Sequence, residues 1–289
     1  MNINFQHLRA FAEVARRGSF TLAAGHLHLT QPAVSKAVRE LEHHLEMTLL
    51  ERTSRQVSLT EAGSALYEHA RSIFALEQAA LEDLQARRGL QRGRLVVGAS
   101  TTIAAYWLPV YLTRFMAQHP GLELSLVSGN TERIAHDVLE CRVDVGWVEG
   151  PVDDARLECT PWRDEPLTLV APAAPPLPQT ALEAQCWIIR ESGSGTGQVT
   201  ETFLQQQGIY PQRRVVVGSN TAAVQMVLSG AGVCLVPRTM VASYIARGAL
   251  QEVVLASGPV MRPLNRISLR GRPASRARQA FEALLATRL

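Results

Sequence analysis

Two different sequence patterns meet near residue 95, and this change constrains the fold more than any other feature of the chain. The residues before it are arranged mostly as helices. After it, short apolar strand-like runs alternate with amphipathic helical segments, beginning with residues 95–99 and 106–118 and ending with residues 266–269 and 274–287. Such alternation predicts a parallel sheet covered by helices. The predicted fold class is therefore α/β, preceded by an all-α N-terminal region.

The N-terminal region shows a helix, a short turn and another helix in close succession. Residues 5–17 place apolar side chains on one helical face, and Gly18 follows as a stop. Ser19 begins a second, short helix. Thr30 is the expected N-cap of a third helix over residues 31–45, which carries a proline in its first turn. This arrangement is typical of a helix-turn-helix.

A basic wing and a long helix are predicted next. Residues 48–51 and 56–59 have the pattern of two short strands joined by a polar turn that contains Arg52 and Arg55. The long helix starts at residue 61, and its apolar residues exceed what so small a preceding domain can cover, which favours a role in dimerisation. Glycines and arginines after this helix predict a hinge-like linker.

The polar face of the third helix carries the candidate DNA-binding residues. The start of the second helix of a helix-turn-helix meets base edges in the major groove, where Gln31 can pair with adenine and Lys36 with guanine or phosphate. The alternative is an ordinary three-helix subdomain with a solvated polar face, but a basic wing suits DNA phosphates and favours the first interpretation. The predicted DNA-binding residues are Ser19, Thr30, Gln31, Pro32, Ala33, Ser35, Lys36, Arg39, Arg52 and Arg55.

Several segments of the first 63 residues together carry a family signature. They are Phe11-Ala12-Glu13-Val14-Ala15, Gly18-Ser19-Phe20-Thr21-Leu22-Ala23-Ala24, Thr30-Gln31-Pro32-Ala33-Val34-Ser35, Leu41-Glu42, Arg52-Thr53 and Leu59-Thr60-Glu61-Ala62-Gly63. This signature closely resembles that of LysR-type transcriptional regulators. The resemblance implies a winged helix-turn-helix, a linker helix, a hinge and a periplasmic-binding-protein-like effector domain of two α/β lobes. It also implies homotetramers assembled as dimers of dimers, in which an effector in the cleft alters the bending of double-stranded DNA.

The expected domain boundaries follow from these segments. The winged helix-turn-helix is expected over residues 1–60, the dimerising linker helix over 61–88 and the hinge over 89–94. The effector-binding domain is expected over residues 95–289. Its lobe I is expected to comprise residues 95–166 and 266–289, and its lobe II residues 167–265.

The predicted effector site lies where loops leave the carboxyl ends of the strands. A glycine-rich turn over residues 191–198 precedes a helix, and backbone N–H groups at such a helix start suit a carboxylate, sulfate or phosphate. The turn lacks the lysine of a nucleotide P-loop. The family resemblance suggests as effector-binding residues Ser100, Thr102, Asn130, Thr131, Glu149, Ser194, Gly195, Thr196 and Thr221.

Alternatives remain open at three of these positions and at the neighbouring Gly197. Thr131 and Thr221 could instead cap helices, and Glu149 could repel anions or hydrogen-bond an amine or hydroxyl. Relatives with a similar turn often have arginine where this chain has Gly197, so the ligand is either less charged or neutralised by Arg190.

Other functional classes lack their sequence signals. The longest apolar runs are far shorter than the ~20 residues of a membrane span, and the N-terminus does not resemble a signal peptide, so a cytoplasmic location without membrane contact is expected. Neither a catalytic constellation nor a metal site is predicted, and no cofactor is expected. RNA polymerase is a further candidate partner. A redox-responsive regulator of the same architecture, a solute-binding protein and an architectural DNA-binding protein are the alternatives.

Overall fold

The computed structural model describes residues 2–52, 57–87 and 93–287. The chain divides into two compact units, Met1–Leu81 and Glu82–Leu289. None of the helices in the described residues is long and apolar enough to cross a bilayer.

The first unit is a three-helix arrangement followed by a small hairpin and a long helix. The first three helices begin at side-chain caps and end at left-handed residues; for example, Asn4 Oδ1 accepts a hydrogen bond of 2.8 Å from Gln6 N, and Gly18 has φ +62°. Phe11, Val34 and Leu41 are fully buried in its core. The elements are α1 (Phe5–Arg17), α2 (Phe20–Leu27), α3 (Gln31–Leu45), β1 (Leu50–Arg52), β2 (Val57–Leu59) and α4 (Glu61–Arg87).

The second unit alternates strands and helices. Its first part contains β3 (Gly93–Ser100), a π-helical turn (Ile103–Trp107), α5 (Leu108–Gln118), β4 (Leu122–Gly129), α6 (Thr131–Leu139), β5 (Val145–Glu149) and β6 (Leu157–Pro172). Its second part contains a 3-10 turn (Gln179–Ala181), β7 (Cys186–Arg190), α7 (Gly195–Gln207), β8 (Arg213–Val217), α8 (Asn220–Leu228), β9 (Cys234–Pro237), α9 (Arg238–Ala246), β10 (Leu250–Glu252), β11 (Val260–Leu269) and α10 (Arg276–Ala286).

The strands form two lobes that share two long strands. The main sheet has the order β10-β6-β11-β5-β3-β4, with β9 also paired to β6, and β7 pairs with β8 separately. Strands β6 and β11 are antiparallel neighbours, and they connect the lobe I strands β3, β4 and β5 with the lobe II strands β9 and β10. The predicted two-lobed α/β architecture behind an N-terminal helix-turn-helix is therefore confirmed.

The expectation of an all-parallel sheet is wrong in detail. Pairing is parallel for β3 with β4 and β5 and for β7 with β8, but β11 runs antiparallel to both of its neighbours. The predicted strand 266–269 is part of the much longer β11, which pairs along its whole length with the 16-residue β6. The two connecting strands, β6 and β11, run through both lobes in opposite directions. One of them, β11, therefore lies antiparallel beside the parallel strands of lobe I.

Candidate functional site

The predicted DNA-binding residues lie on the exposed face of α3 and at the helix starts. Ser19 Oγ accepts a hydrogen bond from Leu22 N at 3.3 Å, and Thr30 Oγ1 accepts one from Ala33 N at 3.4 Å, so both cap helices. Ser35 is half-buried. The exposed members of the set are Thr30, Gln31, Pro32, Ala33, Lys36 and Arg39. The side chain of Arg52 and the whole of Arg55 lie outside the described residues.

Both cationic side chains on α3 face solvent. The side chain of Lys36 is 75% exposed, and its Nζ lies 3.6 Å from Glu40 Oε1, one helical turn away. Arg39 Nε donates to the carbonyl oxygen of Ser35 at 3.3 Å. An exposed ion pair of this kind contributes little to stability. A phosphate can therefore compete for Lys36 at small cost.

A half-buried carboxylate links the first two helices. Glu13 on α1 pairs with Arg16, Arg17 and His26, the last of which lies on α2. Burial raises the pKa of Glu13, but hydrogen bonds from the two arginines lower it more, so the net pKa is below its ordinary value. The contact with His26 ties α1 to α2.

Five of the predicted effector-binding residues converge in one buried hydrogen-bond network. Ser100 Oγ donates to Glu149 Oε1 at 3.0 Å, and Thr196 Oγ1 donates to Glu149 Oε2 at 3.1 Å. Thr131 Oγ1 donates to the backbone oxygen of Glu149 at 3.0 Å. Thr131 does not cap a helix, because the N-cap of α6 is Asn130. Thr102 joins the network through Asn220.

Sequence reasoning missed three members of this network. Arg262 on β11 is fully buried, and its Nη1 lies 2.7 Å from Glu149 Oε2 and 2.6 Å from Thr196 Oγ1. Glu165 on β6 accepts from Arg262 Nε at 2.9 Å and also pairs with its Nη2. Asn220 Nδ2 donates to Thr102 and Thr196, while its Oδ1 is buried without a partner among the described residues.

Arg262 and Glu165 link side chains of the two lobes. Both lie on the two strands that connect the lobes. Glu165 Oε1 accepts from Trp107 Nε1 at 2.8 Å and lies within 3.3 Å of Thr239 Oγ1. Two carboxylates therefore share one guanidinium on and beside the connecting strands, and the three side chains contact residues of both lobes.

The remaining predicted effector residues have structural roles or lie elsewhere. Asn130 Oδ1 caps α6 through Arg133 N at 2.9 Å, and Ser194 Oγ caps α7 through Gly197 N at 3.4 Å. Gly195 packs on the backbone of Glu149, where an added Cβ would lie 2.1 Å from the carbonyl oxygen. Thr221 is exposed and is not the cap of α8, which is Ser219.

Gly197 stands where relatives with a similar turn often have arginine, and the backbone around it leaves little room for a larger residue. A Cβ at this position would lie 2.9 Å from the carbonyl oxygen of Arg190, so a larger residue requires the backbone to shift. The guanidinium of Arg190 is already paired: its Nε and Nη2 donate to the carboxylate of Glu191 at 2.7 and 2.8 Å. This pairing lowers the pKa of Glu191, although burial raises it. Arg262 is the cation whose guanidinium contacts two of the predicted effector residues, Glu149 and Thr196.

An open cavity adjoins the buried network. It has a volume of about 930 Å³ and lies between α6 and the segment from β7 to α7. Thr131, which donates to Glu149, lines the cavity together with the turn over residues 191–195. The cavity is large enough for a small metabolite.

The thiols and metal-binding side chains show no reactive cluster in the described residues. Cys141, Cys159, Cys186 and Cys234 are all described, and none of them forms a disulfide within the described residues. Burial raises the pKa of the Cys234 thiol far above its ordinary value, and burial also raises that of Cys159 despite the opposing charge of Arg266. Among the described residues, histidine, cysteine and carboxylate side chains form no group that could hold a metal ion.

Comparisons with known proteins cover nearly the whole chain. A family model described as "Bacterial regulatory helix-turn-helix protein, lysR family" matches residues 5–64, and one described as "LysR substrate binding domain" matches residues 88–289. The HTH-type transcriptional regulator YeiE of Escherichia coli (strain K12) is 33% identical over 286 residues, which cover 97% of this chain and 96% of the relative.

Two solved structures extend the comparison. A full-length OxyR variant from Pseudomonas aeruginosa is 23% identical with a TM-score of 0.74, covering 99% of this chain and 94% of that chain. It shows the fold. The regulatory domain of Synechocystis PCC6803 CcmR, in complex with 2-PG, is 30% identical with a TM-score of 0.61, covering 67% of this chain and 96% of that chain.

Proposed function

Because this chain belongs to the LysR family of DNA-binding transcriptional regulators, which small-molecule effectors control, we propose that its effector is a small anionic or carboxylate metabolite bound between the two lobes. One observation carries the proposal. Hydroxyl groups from both lobes and the guanidinium of Arg262 converge on a single carboxylate, that of Glu149. These are the donors that an anion requires.

The position of the site supports a role in regulation. Arg262 and Glu165 lie on the connecting strands β11 and β6, while Thr196 lies at the N-terminus of a lobe II helix. A ligand that contacts groups of both lobes stabilises one lobe arrangement over others by its differential affinity. The structure of the related CcmR domain in complex with 2-PG supports the anionic class.

The remaining assignments are part of the same proposal. The exposed face of α3 binds the major groove, and the arginines of the wing contact phosphates. Leu76 and Leu84 on α4 are exposed, which supports dimerisation through this helix. Pairs of such dimers form the homotetramer, and RNA polymerase is a further partner at the promoter. We place its action in the cytoplasm, where bacterial DNA lies, and assign it no catalytic reaction.

The DNA interface is tested at Lys36, the single lysine of the sequence. Lys36→Ala is expected to weaken binding to the operator by about 1–3 kcal/mol if the amine contacts a base, or to lower the salt slope by about one if it contacts a phosphate. Fluorescence anisotropy at several salt concentrations distinguishes these results. Arg114→Ala, which removes one exposed charge from α5, is the matched control.

The same lysine allows a direct footprint on the protein. An amine-reactive reagent modifies Lys36 and the N-terminal amine only, so mass spectrometry of the Lys36 peptide measures its protection without ambiguity. Bound operator is expected to protect Lys36. Unchanged modification at saturating DNA, with Lys36→Ala binding like the wild type, would show that α3 is not the recognition helix.

The effector site is tested at two threonines with different surroundings. An anion at 100 times its Kd stabilises the folded state by about 2.7 kcal/mol. We expect this stabilisation in the wild type and in Thr221→Val, where the side chain is exposed, but not in Thr196→Val, where a buried donor is lost. Thermal unfolding is followed with sulfate, nitrate, inorganic phosphate and 2-PG. An equal shift in both variants would place the anion outside this network.

A further inference from the structure

The carboxylate of Glu149 occupies the donors that an effector anion would use. Its two oxygens accept from Ser100 Oγ, Thr196 Oγ1 and Arg262 Nη1 at 3.0, 3.1 and 2.7 Å. Two of these three partners belong to the predicted effector-binding set. On the basis of the proposed function, we propose that Glu149 is a built-in competitor: an effector anion binds by displacing this carboxylate from Ser100, Thr196 and Arg262.

The charges of the buried cluster require the effector anion to replace the carboxylate of Glu149 and not to bind in addition to it. Glu149, Glu165 and Arg262 are all buried, so two carboxylates already share one guanidinium. A further anion beside them would put three anionic groups against one cation at low dielectric, which is strongly unfavourable. If the effector takes the place of Glu149, the charge around Arg262 is unchanged, and Arg262 keeps its contact with Glu165.

The chain geometry around Glu149 suits a side chain that changes position. Glu149 is the last residue of β5, and Gly150 follows it with φ +73°, a conformation that starts a turn. The next residues of this turn, Pro151 to Asp154, line the open cavity of about 930 Å³. The carboxylate therefore lies at a junction between a fixed strand and a turn beside open space.

This competition makes Glu149 a determinant of specificity. Only an anion that satisfies the two hydroxyls and Arg262 better than Glu149 does can displace it, so weakly interacting anions are rejected. An effector hydroxyl or protonated oxygen gains a further partner in the buried Asn220 Oδ1.

The experiment compares four full-length chains: the wild type, Glu149→Gln, Glu149→Asp and Glu132→Gln. Each is titrated calorimetrically with sulfate, inorganic phosphate and 2-PG. Glu149→Gln removes the competing charge. Glu149→Asp keeps the charge but draws it back from Arg262 by one methylene. Glu132→Gln removes a carboxylate that lines the cavity without contacting Arg262, and it measures the effect of losing a nearby charge that does not occupy the donors.

Exchange predicts that Kd for the anion that binds falls at least about fivefold in both Glu149 variants and falls by a clearly smaller factor in Glu132→Gln. Tighter binding in Glu149→Gln alone would indicate simple charge repulsion between Glu149 and the anion. Unchanged binding in both Glu149 variants would show that Glu149 takes no part, and weaker binding in both would show that Glu149 contacts the anion directly. Each of these results overturns the exchange. If Glu149→Gln fails to fold, Glu149→Asp decides. Absence of anion binding to every chain contradicts the anionic effector class itself.

Discussion

Replacing Arg262 by methionine is expected to lower the free energy of unfolding of the effector unit by about 3–5 kcal/mol, because it leaves two buried carboxylates without their shared cation. All four tryptophans lie within Glu82–Leu289, so their fluorescence in urea reports on this unit alone. Adding Glu165→Gln to the variant is expected to recover part of the loss, since one of the unpaired charges is then removed.

The matched control for this prediction is Arg238→Met. Arg238 pairs with Glu252 at 2.7 Å, but its side chain is 53% exposed, and such pairs contribute only about 0–1 kcal/mol. Equal losses in the two variants would show that the buried cluster is not held by its charges. An undiminished loss in the double variant would lead to the same conclusion.

The second large effect is expected from Gly195→Ala. The new Cβ would lie 2.1 Å from the carbonyl oxygen of Glu149 and 2.7 Å from its Cβ, so the start of α7 must move away from β5. Overpacking of this kind costs about 1–3 kcal/mol. The shift also separates Thr196 from Glu149, and the stabilisation by a bound anion is expected to be lost. Urea unfolding with and without the anion measures both effects.

Gly218→Ala is the control for this substitution. A Cβ at Gly218 meets no atom within 4 Å. Its effect is expected to stay within about 0.5 kcal/mol, as for other surface changes, with the anion response intact. If Gly195→Ala behaves like Gly218→Ala, the close approach of α7 to Glu149 does not matter for the site.

The sequence was informative where local signals determine the structure. Helices α1 and α3 begin and end where capping residues and apolar periodicity predict them, over Phe5–Arg17 and Gln31–Leu45. The two connecting strands were underestimated because prolines interrupt them: Pro161 and Pro166 in β6, and Pro263 in β11. Proline lacks the backbone N–H that a strand donates to its neighbour, so a proline in the sequence is interpreted as the end of a strand. Here the pairing of β11 with β6 continues past these prolines.

The candidate site was predictable only in part for a similar reason. Hydroxyl residues that end a strand or follow one, such as Ser100 at the end of β3 and Thr196 at the start of α7, were expected from the alternating α/β pattern and the family resemblance. Arg262 stands between a methionine and a proline in a segment without periodicity, and nothing local distinguishes it from an exposed arginine. Its burial follows from the pairing of β11 with β6, which brings it to Glu165 across 97 residues of sequence.

The most direct test of the account is a footprint of the full-length protein on DNA from upstream of its own gene, with and without the anion that stabilises the effector unit. If the anion acts through the buried network, it changes the footprint or the DNA bend of the wild type and of Thr221→Val, and it leaves the footprint and bend of Thr196→Val unchanged. An identical footprint and bend for the wild type at zero and saturating anion would contradict it.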